Sequence, residues 1–95
     1  MSIKDAICEA IGQRRLVSFI YKSAQRTAEP YILGYDDKGA LTLSAYQTSG
    51  GSGTGFRTFL VDGMSFVTMT ERGFTGTRPE YNPRDRYFAH IVCQV

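Results

Sequence analysis

Residues 16–22 read LVSFIYK. Val17, Phe19 and Tyr21 alternate with Ser18 and Ile20, and the run is rich in β-branched and aromatic side chains, which is the period-two signature of a strand. The residues just before it obey another rule. Across residues 3–13 (IKDAICEAIGQ), Ile3, Ala6, Ile7, Ala10 and Ile11 fall at i, i+3, i+4, i+7 and i+8. That spacing predicts a helix with one apolar stripe. Ser2 is placed to cap its first turn and Asp5 to favour its positive end. Arg14 and Arg15 suit the negative pole. The switch from a period near 3.6 to a period of 2 therefore decides the fold: one short helix, which is marginal alone, followed by strands.

Working outward, residues 26–35 (RTAEPYILGY) form a second extended run. Pro30 has no N–H for a ladder and marks an edge or a bulge. Residues 36–39 (DDKG) give a hairpin signal. Residues 41–47 (LTLSAYQ) alternate again, and residues 48–55 (TSGGSGTG) read as a flexible hairpin loop. Residues 56–61 and 64–70 are two further strands, divided at Asp62-Gly63. Residues 71–86 (ERGFTGTRPEYNPRDR) are polar and broken by Gly and Pro, so they read as an irregular arm and a solvated connector. Residues 87–95 (YFAHIVCQV) form a last strand that either closes the barrel edge or pairs with a second chain. Closely spaced short strands with turns between them predict a mainly β domain: a small five- to six-stranded barrel with one N-terminal α-helix, residues 1–95 being one unit.

The composition narrows the function. Eleven basic residues face nine acidic ones for a net charge of +2, too small an excess to announce nucleic-acid binding alone. Three of the eleven are lysines (Lys4, Lys22 and Lys38) and the rest are arginines, the residue suited to bidentate contact with phosphate or carboxylate. Residues 1–4 lack the regions of a signal peptide, and no apolar run approaches the roughly 20 residues that span a bilayer. Cys8 and Cys93 are expected as free thiols of a cytoplasmic protein, with no disulfide predicted.

The ordered set of AI…RRLVSFIYKS, R…EPYIL, LTLSAY, FRTFLVDGMSFV and GF, across residues 7–74, resembles the WYL domain. The resemblance implies an Sm-like, SH3-type small barrel behind a helix. It also implies a regulatory ligand sensor, of a kind often fused to a DNA-binding helix-turn-helix, for nucleotide-like ligands or nucleic acid. Residue by residue it covers Tyr21, Arg26, Glu29, Pro30, Tyr31, Tyr46, Arg57, Phe59 and Phe74. The family's Trp-Tyr-Leu triplet is here Leu41-Thr42-Leu43, and its Asp-Arg-Ile is Asp62-Gly63-Met64.

The candidate ligand-binding residues are therefore Arg26 and Arg57, which grip an anion if they converge, with Tyr21, Tyr31 and Tyr46 stacking on a ring. The glycine loop lacks the Gly-Lys-Ser/Thr and following helix of a phosphate cradle. His90 with Cys93 is too few ligands for zinc. No nucleophile–base pair assembles, so the reading is a non-enzymatic binding module without metal or cofactor. Its expected partners are a nucleotide or single-stranded nucleic acid, a regulatory protein, or a second copy in a homodimer, and no membrane. The competing reading is an assembly or adaptor protein that donates residues 87–95 to edge pairing.

Overall fold

A computed structural model describes residues 2–51 and 53–95. Its elements run α1 (Ile3–Gln13), β1 (Arg15–Tyr21), β2 (Ala24–Asp36), β3 (Leu41–Gly50), β4 (Gly55–Leu60), a 3-10 turn (Val61–Gly63), β5 (Met64–Gly73) and β6 (Phe88–Gln94). Among the described residues they form one helix and one six-stranded antiparallel sheet. The helix starts where its cap predicts: the Ser2 hydroxyl accepts the Asp5 N–H at 3.1 Å. It ends on Arg14 in the left-handed region, whose N–H closes on Ala10 and Ile11. The turn between β1 and β2 is tight. Only Lys22 and Ser23 intervene, both at positive φ, as a two-residue hairpin matching strand twist requires.

β2 is the spine. Its first half pairs with β1 (Val17 opposite Ala28 through Tyr21 opposite Ala24) and its second half with β6 (Ile32 opposite Gln94 through Asp36 opposite Phe88). β3 runs along its other side. Pro30 stands where β2 changes partners, between the last residue registered with β1 (Ala28) and the first registered with β6 (Ile32). It also opens a bulge: Pro30 pairs with Ala45 and Ile32 with Ser44, leaving Tyr31 as the extra residue. A bulge turns two consecutive side chains to one side, and Tyr31 and Ile32 accordingly share one cluster.

The strand order is β4-β3-β2-β1-β5, and β4 does not pair with β5 among the described residues. The sheet curls without closing. The terminal strand does not close the barrel edge between β4 and β5. It lies on the half of β2 that the shorter β1 leaves unpaired. Inside the curl, Ile7, Ala10 and Ile11 of α1 meet Val17, Phe19, Leu33, Leu43 and Phe59. A second cluster, centred on Tyr31, Ile32 and Phe88, lies under the arm, which contributes Phe74 and Tyr81.

The expected free thiols are not found. Cys8 and Cys93 form a disulfide with their Cα atoms 5.9 Å apart. The reason is topological. The β6–β2 pairing returns the C-terminus to the strand against which α1 packs, so residues 85 apart in sequence meet. A paired Cys8 and Cys93 no longer argue for a reducing compartment. No helix among the described residues is long and apolar enough to cross a membrane.

Candidate functional site

The five candidate residues have distinct surroundings. Tyr21, at the end of β1, sets its ring against the Phe59 ring at 5.0 Å, and its hydroxyl accepts the Leu60 N–H at 3.1 Å. Arg26 lies over the Tyr21 and Phe59 rings at 5.5 and 5.9 Å. It donates Nε–H to the Tyr21 carbonyl and Nη1–H to the Gln47 side-chain oxygen, each at 3.2 Å. Gln47 is fully buried and donates in turn to the carbonyls of Gly50 (2.8 Å) and Gly53 (2.5 Å). Arg26 thus organises the start of the glycine loop, whose strands extend further than the sequence suggests and leave only residues 51–54 between β3 and β4. Within that loop Ser52 lies outside the described residues.

Tyr31 is not a surface platform. It is 1% exposed and packed among Phe56, Phe74 and Tyr81, with the Tyr81 ring nearest at 4.8 Å. Its hydroxyl donates to Glu29 Oε1 at 3.0 Å and accepts the Arg78 backbone N–H at 3.2 Å. Burial is the main cause that pushes this phenol up to about 12, with the neighbouring Glu29 carboxylate adding to it against the Arg78 N–H. Tyr46 is covered as well: the Arg78 guanidinium lies 4.0 Å over its ring. That guanidinium forks onto Glu29, Nη2 to Oε2 at 2.8 Å and Nε to Oε1 at 3.0 Å. The bond raises the arginine's pKa. The arm is therefore not a solvated connector at this point. Its Arg78 is strapped to the sheet.

Arg57, on β4, curls over the start of its own strand, with Nη1–H donated to the Phe56 carbonyl at 2.8 Å and Nη2–H to the Thr54 carbonyl at 3.3 Å. It is the one candidate that lines the cavity of about 260 Å³ between the sheet and the arm. Phe56 and Tyr81 supply aromatic surface there, Thr58 a hydroxyl, and Glu80 and Asp85 carboxylates. A wider groove beside it is bounded by Glu29, Tyr31 and Arg78. Arg26 and Arg57 are thus held by different partners, one by the buried Gln47 and the other by β4. His90 faces solvent beside the Tyr35 ring, and Asp36 caps its own hairpin by accepting the N–H groups of Lys38 and Ala40, each at 2.9 Å.

The sequence reading missed the part played by Arg78. Residues 29 and 78 stand 49 apart, and the only local cue was Arg-Pro in a polar stretch. Compared with family models, curated proteins and solved structures, the chain matches none of them.

Proposed function

We propose that this chain is a WYL-like regulatory module on an Sm-like, SH3-type scaffold that binds, and does not transform, a small nucleotide-like ligand. The observation that carries the reading is the cavity at Arg57. A guanidinium stands at its wall, suited to a phosphate or carboxylate, beside the aromatic surface of Phe56 and Tyr81. Its size suits one ring system with its attached group rather than a polymer. Glu80 and Asp85 on the opposing arm oppose a polyphosphate and accept from amino or hydroxyl groups. A nucleoside monophosphate, or a ring with one anionic group, satisfies all of these. The resemblance in residues 7–74 points to the same ligand class.

Thermal unfolding against nucleoside monophosphates, cyclic nucleotides, short oligonucleotides and inorganic phosphate, at two salt concentrations, tests this. A ligand at 100 times its dissociation constant adds about 2.7 kcal/mol, a midpoint shift on the order of 10 °C or more for a domain of this size. The expected result is a shift with a monophosphate that Arg57→Ala removes. A flat panel, or a shift indifferent to Arg57→Ala, refutes the site.

A further inference from the structure

The fork between Glu29 and Arg78 has the features of a recognition site rather than of a mere brace. Its receiving half is built on the sheet. Glu29 and Tyr31 come from β2 and Tyr46 from β3, and the Glu29 side chain is 9% exposed. Together they hold Arg78 at three points, the first two of which favour a guanidinium over an ammonium. A carboxylate accepts two parallel N–H bonds, an aromatic face lies 4.0 Å beneath the plane, and a phenol oxygen takes the backbone N–H of the same residue. Lysine, a point charge, cannot reproduce the paired N–H contact with the carboxylate or the flat stacking of the guanidinium plane.

The occupying half is different. Arg78 comes from a stretch without strand or helix, and its side chain is 40% exposed. The neighbours at 75–77, 79 and 80 are all exposed. Among the described residues, the hydrogen bonds that segment 75–80 makes to the sheet are those of Arg78. Pro79 biases Arg78 toward an extended backbone, the form in which a linear peptide presents a side chain. Because the Glu29 carboxylate is nearly buried, leaving it without a guanidinium is costly, so the socket demands an occupant; a second arginine arriving from outside meets that demand as well as Arg78 does.

We propose that Glu29, Tyr31 and Tyr46 form an arginine socket that the protein fills with its own Arg78, and that an extended arginine-bearing peptide of a protein partner enters it by displacing residues 75–80. The site is separate from the cavity at Arg57. Because Glu80 and Tyr81 wall that cavity, entry of the peptide also remodels it.

The probe is a fluorescently labelled peptide with the arm's own residues 76–81, Gly-Thr-Arg-Pro-Glu-Tyr, read by anisotropy. The Arg78→Ala protein, its fold verified by circular dichroism, is expected to bind the peptide at least tenfold more tightly than the native protein, because no internal arginine competes. The same peptide carrying R78A is expected to lose at least tenfold, and adding Glu29→Gln to the Arg78→Ala protein to abolish binding. Equal affinity for both peptides, or none for either, overturns the socket. If Arg78→Ala does not fold, hydrogen exchange on the native protein decides. Faster exchange of the amides at 75–78 and 80 with millimolar peptide supports displacement, and unchanged exchange overturns it. None of these readouts involves Arg57, so failure here is distinct from failure of the ligand cavity.

Discussion

Arg26 satisfies the side-chain oxygen of Gln47, a residue with no exposed surface, at a distance of 3.2 Å. Arg26→Ala removes the donor and leaves a buried amide oxygen without it. The unmet group and the lost bond together cost about 1–3 kcal/mol. Urea unfolding checks the value, and faster hydrogen exchange at the described residues 50–55 locates the effect in the glycine loop. An unchanged midpoint would return Arg26 to the role of a free ligand-binding group.

Tyr31 predicts a pH dependence with a definite sign. Its phenol is pushed up to about 12 in the fold, chiefly by burial, against about 10 when unfolded. Below pH 10 both states hold the proton and the group imposes no slope. Above pH 10 the unfolded chain releases it while the folded chain keeps it, so stability falls with pH and the contribution is lost through pH 12. Absorbance titration near 295 nm is expected to show one of the six tyrosines ionising late. Denaturant midpoints should decline from pH 10 upward and less steeply in Tyr31→Phe.

Gly34 is where β6 comes closest to the spine. A methyl group there would lie 2.5 Å from the His90 carbonyl oxygen and 2.9 Å from the Phe88 ring. The carbonyl belongs to backbone and cannot swing away. Gly34→Ala is expected to cost about 1–3 kcal/mol, as overpacking does, with loss of protection concentrated in β6. Uniform loss across the sheet would mean that β6 and β1 unfold as one unit.

Reduction of Cys8–Cys93 removes a covalent link between residues 85 apart. The chain-entropy account gives a destabilisation of about 4.5 kcal/mol for a loop of that order. Urea unfolding with and without a thiol reductant, and in Cys8→Ser, measures it. Peptide mapping without reductant should recover the cross-linked pair. Identical midpoints would mean that the two sulfurs are not bonded in solution.

Much of the fold is written locally. The helix, its Ser2 cap, the alternation of residues 17–21 and the hairpin at Asp36 all follow from near neighbours. Pro30 likewise announced its bulge. The hairpin at Lys22-Ser23 was harder to place, because neither residue is the Gly or Asn that usually takes a positive φ. What escaped the sequence is long-range. The choice of β2 as partner for β6, the disulfide and the Glu29–Arg78 fork depend on which distant segments a half-empty strand edge and a buried carboxylate bring together, and neither carries a local periodicity. The candidate site divides in the same way. Tyrosine and arginine identities singled out candidates, but the sheet and the arm decided what each one meets. Tyr31 went inward because a bulge turned it, and Tyr46 was covered because Arg78 reached it.

The sulfur link between α1 and β6 gives the molecule the connectivity of a macrocycle from residue 8 to residue 93. A protease that cuts between β3 and β4, where Gly51, Gly53 and Thr54 are exposed, would leave one covalent species, nicked but undivided, until a reductant separates the halves.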